Sequence, residues 1–362
     1  MMAARSLGLV LLSGTLLGCQ EDPGSSGGVG GAQQGGAASG GAPGSSGAAS
    51  GGIAQGGSVA GGGVGMGGSL PAQAGGGGSA GATGGAGAGG PKASAGCGKA
   101  AGPTGERQMA VAARTGLYSV SLPPTYDPAK PYPLGFAFHG RNRNHQNCQA
   151  GDCAGFQSVM GGEAVLVYMQ SLREPLDATQ GGWESAAERE DNSKFFENVL
   201  SELKANYCVD ERRVFVAGTS SGASFSNLLG CRYGDQLLAV GPVSGGLPES
   251  QNCKGAPAAV VIHGIDDPHV TFASGVTART HYLMRSGCMD TTLPPLAGMH
   301  DEIRMKRDAE PSVEDDACVD YQGCKPASPL RWCEHSFGGY DGSTHGWPPT
   351  GGKLIWDFVK SL

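Results

Sequence analysis

The stretch Arg213-Val-Phe-Val-Ala-Gly-Thr-Ser-Ser-Gly222 decides how the rest of the chain is read. Arg213 to Ala217 is a valine-containing apolar run of buried-strand character, and the residues beyond the turn, Ala223 to Tyr233, can be helical. Between them the chain must reverse sharply, which sets Ser220 at the apex of a strand, a tight turn and a helix. Glycine suits positions 218 and 222 because two backbones approach closely at such a turn, where a Cβ would clash. The pentapeptide G-x-S-x-G recurs by chance in many sequences, but between a strand and a helix it marks a serine held out as a nucleophile.

Apolar runs of strand length recur on both sides of this unit. Met109 to Leu122 predicts two early antiparallel strands joined by a turn near Arg114-Thr115-Gly116. Further strands are predicted at Pro133 to Phe138, Ala164 to Met169, Leu237 to Val243, Ala258 to Ile262 and residues 331–337. From Asp191 to Tyr207, Phe195, Phe196, Val199, Leu200 and Leu203 recur at helical spacing, and Lys353 to Leu362 supplies a closing helix. Strands alternating with helices after an antiparallel start predict an α/β fold, with a mostly parallel central sheet and helices on both faces. In such sheets chemistry collects at the C-terminal ends of the strands.

The residues just after those ends are therefore the ones to inspect. The strand ending at Ile262 runs into His263-Gly-Ile-Asp266-Asp267-Pro-His269, and the last strand is followed by Asp341-Gly-Ser-Thr-His345-Gly-Trp347. The chain order serine, aspartate, histidine is the order of the α/β-hydrolase triad. Ser220 is the expected nucleophile, His345 the base, and Asp266 or Asp267 the acid that orients the imidazole. A helix N-cap is the structural alternative for either aspartate. His263, His269, His281 and His335 compete for the role of base; His335 lies within a strand and reads as structural, whereas His345 lies in a Gly-rich loop able to reach the serine. An oxyanion needs two backbone N–H donors. One is expected from Ser221 and the other from Arg141 or Gly140 in the loop after Phe138, with the His139 side chain in support. Trp183 and Trp347 are candidates for the substrate mouth, with a structural role as loop anchors as the alternative.

The N-terminus has its own logic. Arg5 precedes an apolar stretch, Leu7 to Leu17, too short to span a bilayer, and Leu16-Leu17-Gly18-Cys19 follows the pattern of a bacterial lipoprotein signal. The expectation is a signal peptide over residues 1–18, cleavage before Cys19 and a lipid on that cysteine, giving a chain anchored outside the cytoplasm by lipid alone. An ordinary secretory signal is the alternative. Residues 19–96 are almost entirely Gly, Ala and Ser with few charges, which predicts a disordered tether; as a flexible coil of about 75 residues its ends would lie on the order of 45 to 50 Å apart. Residues 97–362 remain for one large domain. Arg5 and Lys92 cancel Glu21 and Asp22, so the net charge of −7 belongs to that domain and speaks against nucleic acid as a partner. Ten of the eleven cysteines fall within it, an even number that in an exported domain implies disulfides. Cys148 with Cys153, and pairs within Cys288, Cys318, Cys324 and Cys333, are plausible from proximity, while the absence of paired C-x-x-C units and of H-E-x-x-H speaks against a structural or catalytic metal.

Taken together, Gly96-Cys-Gly-Lys99, Pro124-Thr-Tyr-Asp127, Phe138-His-Gly140, Cys208-Val-Asp210, the elbow, Ile262-His-Gly264 through Asp267, Cys318-Val-Asp-Tyr-Gln-Gly-Cys324, Trp332-Cys333 and His345-Gly-Trp-Pro348 resemble the polyhydroxybutyrate depolymerase and feruloyl esterase family of α/β-hydrolases, carbohydrate esterase family 1 in the broad sense. The resemblance implies Ser220, Asp267 and His345 as the triad, no cofactor or metal, a monomer, and an ester substrate on plant polysaccharide or an aliphatic polyester. It spans the domain and none of the tether. Thr219-Ser-Ser221 departs from the family's usual elbow, and the loop Arg141 to Cys153 is less familiar. A surface binding module that had lost its activity is the reading from another class; such modules usually lose a triad member, and here all three are present.

Overall fold

The computed structural model describes residues 90–153, 155–172, 182–183, 186–289, 316–337 and 343–362. The expected signal peptide, Cys19, the tether up to residue 89 and Asp341 lie outside the described residues. Among the described residues, no helix is long and apolar enough to cross a membrane.

Among the described residues, nine strands form one sheet: β1 (Gly105–Val111), β2 (Arg114–Ser121), β3 (Tyr132–Phe138), β4 (Val165–Met169), β5 (Val209–Thr219), β6 (Ala239–Val243), β7 (Ala258–Gly264), β8 (Asp316–Asp320) and β9 (Leu330–His335). Their order is β1-β2-β4-β3-β5-β6-β7-β9-β8. The run from β4 to β9 is parallel, while β1 and β2 on one side and β8 on the other pair antiparallel. The helices are α1 (His145–Asn147), α2 (Phe156–Met160), α3 (Ala186–Asn206), α4 (Ser221–Arg232), α5 (Phe272–Ser286) and α6 (Gly351–Ser361).

Alternation along the central strands sends side chains into two cores. Phe136 and Phe138 of β3 and Val214 and Val216 of β5 join Phe195, Phe196 and Val199 of α3 and Phe225 and Leu228 of α4. On the other face Ala137, Phe215 and Ala217 meet Phe156 and Met160 of α2 and Ile355 and Trp356 of α6. The central strands are thus buried on both faces, which is why they read as near-continuous apolar runs. Near-complete exclusion of so many large side chains from water is the main driving force of folding.

The first hairpin turns at Ala112-Ala113 instead of near residues 114–116, and Ala112 takes a positive φ of 52° to make it. Gly116 lies inside β2, where a Cβ would come within 2.4 Å of the Phe195 ring. Its lack of a side chain is a packing feature that lets α3 seat its phenylalanine. β8, α2 and α5 are elements that the apolar patterning had not marked; β8 is an edge strand held against β9 by five residue pairs and by the disulfide Cys318–Cys333.

The ten cysteines of the domain form five disulfides: Cys97–Cys208, Cys148–Cys153, Cys231–Cys253, Cys288–Cys324 and Cys318–Cys333. The first joins residues 111 apart, and closing so long a loop stabilises by roughly 4 to 5 kcal/mol in the chain-entropy account. Residues just before Cys97, expected to belong to the tether, are built into the domain. The Lys92 N–H donates to Asp210 Oδ1 at 2.9 Å, the Ser94 N–H donates to the Val209 carbonyl at 2.9 Å, and Ser94 is buried. The folded domain therefore includes residues ahead of 97, because backbone pairing beside β5 recruits residues whose composition alone marks them as linker.

Gly116→Ala should destabilise the domain by about 1 to 3 kcal/mol through overpacking against Phe195. In urea titrations the double variant with Phe195→Leu should be more stable than the two single losses add up to; strict additivity would show that the two residues do not share this contact.

Candidate active site

The turn between β5 and α4 holds Ser220 at φ 54° and ψ −119°, a conformation that a non-glycine residue adopts only when its surroundings force it. The force is close packing. A Cβ on Gly222 would lie 2.3 Å from the Phe138 carbonyl oxygen, and one on Gly218 would lie 2.5 Å from the Gly222 carbonyl group. The Ser220 N–H donates to the Val243 carbonyl at 2.9 Å, tying the turn to the neighbouring strand. Ser221 opens α4, so its N–H is among those without an intrahelical acceptor, at the positive end of the helix dipole. Gly140 passes beside this turn: a Cβ there would sit 3.5 Å from that of Ser220.

Asp267 lies in the turn after β7 with its carboxylate fully buried. Its Oδ1 accepts the N–H of His269 at 2.9 Å and of Val270 at 2.8 Å, and the His345 Nδ1–H lies 2.9 Å from Oδ1 and 2.8 Å from Oδ2. Burial alone would raise this carboxyl's pKa. The hydrogen bond from His345 and those from the Val270 and His269 N–H groups outweigh it and hold Asp267 below the usual carboxylate range. A carboxylate at Nδ1 fixes the proton there and leaves Nε2 with the lone pair. Asp266 is exposed and contributes its backbone instead, donating its N–H to Thr344 Oγ1 at 3.0 Å. Gly264 lets the histidine loop cross the end of β7, since a Cβ there would lie 1.8 Å from the Thr344 carbonyl oxygen.

The chain is similar to feruloyl esterase C of Emericella nidulans, with 29% identity over 235 residues covering 63% of this chain and 77% of that one. Feruloyl esterase D of Neurospora crassa is 26% identical over 224 residues, 60% of this chain and 71% of its own. Among solved structures, an acetyl xylan esterase from Aspergillus awamori superposes with a TM-score of 0.51 at 14% identity, covering 71% of this chain and 99% of that one, a likeness of fold. No protein-family model matches the chain. The chain has an α/β-hydrolase fold and is similar in sequence to feruloyl esterases. It is a carboxylic ester hydrolase.

The remaining histidines of the esterase divide by environment. His269 packs its ring edge-to-face on His345, with centroids 4.9 Å apart. His263 is buried, donates from Nε2 to the Val270 carbonyl at 2.9 Å and lies 3.7 Å from Asp267, so it buttresses the acid's turn; burial lowers its pKa. His281 lies on α5 beside Cys253, away from this cluster. His335 is fully buried, and burial pushes its pKa down to about 3.

His139 supports the loop of Gly140 and Arg141. Its Nδ1–H donates to the Gly140 carbonyl at 2.7 Å and its Nε2 accepts the Ser171 N–H at 3.3 Å, an arrangement that only a neutral imidazole can make. Burial holds its pKa at about 4. Trp183, considered above for the substrate mouth, is a core residue: it is 1% exposed, stacks on Phe225 at 4.6 Å and donates its indole N–H to the His139 carbonyl at 2.9 Å. Trp347 is likewise buried, in the cluster with Cys333, Ile355 and Trp356. Large aromatic area favours burial over display, so both tryptophans anchor the loops beside the site. Arg141 is exposed. Among the described residues, no group of His, Cys, Asp and Glu is arranged to hold a metal ion.

These buried neutral histidines make the esterase acid-labile. The folded-state pKa values of His139 and His335 lie below the ordinary 6.5, so the unfolded chain binds more protons between the two values. Stability is full above about pH 6.5 and falls as the pH drops toward 4, by on the order of 3 kcal/mol for His139 alone. Denaturant midpoints measured from pH 7 to pH 4 should decline steadily; a flat profile would contradict the burial of neutral imidazoles.

Proposed function

We propose that the protein is an exported serine esterase working through an acyl-enzyme, with Ser220 as nucleophile, His345 as base and Asp267 as the acid that orients it. The observation that carries this is the His345 Nδ1–H held on the buried Asp267 carboxylate, in a loop joined to the same strand ends that carry the Ser220 turn. Ser220 Oγ attacks the ester carbonyl as His345 Nε2 takes its proton. The tetrahedral oxyanion is held by the N–H of Ser221 and one from Gly140 or Arg141, and the imidazolium is stabilised by Asp267. His345 then returns the proton to the leaving alkoxide, releasing the alcohol. Water, deprotonated by the same nitrogen, attacks the acyl-enzyme, and the carboxylic acid leaves with Ser220 restored.

The proposed substrate is a feruloyl or acetyl ester of plant polysaccharide; the names of the relatives in Emericella and Neurospora support the feruloyl ester. Five disulfides support a location outside the cytoplasm. The Leu16-Leu17-Gly18-Cys19 sequence supports a lipid anchor, with the Gly-rich stretch as its tether.

Turnover of methyl ferulate, p-nitrophenyl acetate and a hydroxybutyrate oligomer by the full chain, beside Ser220→Ala, tests the proposal. Ferulate or acetate should be preferred, and Ser220→Ala should lose at least about 10⁴-fold in kcat. Preference for the oligomer would favour a polyester depolymerase instead, and silence on all three with no phosphonate labelling would favour a binding module.

A further inference from the structure

Ser244 follows β6 and carries no part of the chemistry above, yet it is one of five non-glycine residues with positive φ among the described residues. Two of the others, Asn142 and Asn252, are of a type that tolerates this region, and a third, Ala112, turns a surface hairpin. The remaining two are Ser220 and Ser244, both with φ 54°. Glycine would adopt this backbone with less strain, so a buried serine retained there points to a use for its side chain.

That use is visible in its contacts. Ser244 is completely buried, and its Oγ accepts the N–H of Gly346, the residue after His345, at 3.3 Å. Its own N–H donates to the Ile262 carbonyl on β7 at 2.9 Å, and the carbonyl just before it, that of Val243, accepts the Ser220 N–H. The dipeptide Val243-Ser244 therefore touches the nucleophile's turn, the strand leading to the acid and the loop of the base. On the other side of His345, Thr344 Oγ1 accepts the Asp266 N–H. The base sits between two hydroxyl latches, one to the acid's turn and one to the strand behind the nucleophile.

We propose that Ser244 is a positioning residue, whose hydroxyl, fixed by a strained backbone at the end of β6, sets the distance of the His345 loop from Ser220. The proposal rests on His345 and Ser220 acting as base and nucleophile. The Gly346 N–H on Ser244 Oγ ties the loop of His345 to the end of β6, and the Val243 carbonyl ties the same strand end to the Ser220 turn.

The test compares Ser244→Gly and Ser244→Ala with wild type in the full-length protein, with Ser220→Ala alongside. Glycine accepts the φ of 54° without strain, so Ser244→Gly should fold with a melting temperature close to wild type while lacking the hydroxyl. With one hydrogen bond lost, kcat on p-nitrophenyl acetate should drop about three- to tenfold at unchanged KM. The low-field proton resonance of the Asp267–His345 hydrogen bond should broaden in both variants, a change that a purely structural role would not cause. Wild-type kcat and an unaltered resonance in Ser244→Gly would overturn the proposal, as would a loss confined to KM. If Ser220→Ala itself kept full turnover, the triad reading would fall first, and the two failures are thereby told apart.

Discussion

The contact on which the structure turns is the approach of Gly222 to the carbonyls of Phe138 and His139, at a distance no Cβ could tolerate. It presses the first turn of α4 against the end of β3, and the consequences run outward. The serine between β5 and α4 is forced to positive φ, the helix terminus points its free N–H groups at the space above the sheet, and the loop of His139 and Gly140 is brought alongside. Trp183 then fixes that loop from beneath by donating to the His139 carbonyl, while the His139 ring ties its own loop to Ser171 at the end of β4. A backbone-to-backbone contact of a few ångströms thus decides where the nucleophile and its surrounding donors can stand.

Around this contact the polar groups are arranged with little room to move. Asp267 is buried with two backbone donors and an imidazole on its carboxylate, so its charge is settled by hydrogen bonds and not by water. His139 and His335 are buried neutral, an arrangement that costs stability in acid.

The parts legible in the sequence were those with a local cause. The apolar strands, the long helix with Phe195 to Leu203 and the glycines of the turn at Ser220 announce themselves by period and type; strand ends single out the loop of His345 but leave Asp266 and Asp267 open, and only the family resemblance prefers Asp267. The misreadings also have physical causes. Gly116 looks like a turn residue because glycine often is one, but the reason for it stands 2.4 Å away on α3, distant in sequence. Trp183 stood open between the substrate mouth and a loop anchor, because the partners that make it an anchor, Phe225 and His139, arrive from other segments. β8 has a short, polar-flanked sequence and owes its place to Cys318 facing Cys333. Ser244 carries no motif; only its backbone angle and the passing of residue 346 over it give it significance.

The chain enters the domain beside the N-terminal end of β5, where Lys92 and Ser94 are bonded and Cys97 is joined to Cys208. Ser220 and Asp267 stand at the opposite, C-terminal ends of the parallel strands. A pull applied through the N-terminal segment therefore reaches the sheet through a covalent bond, at the rim farthest from the chemistry. Hydrogen bonds ahead of Cys97 can give way under load while the sulfur bridge takes the force, so the strand ends that carry Ser220 and Asp267 are mechanically insulated from it.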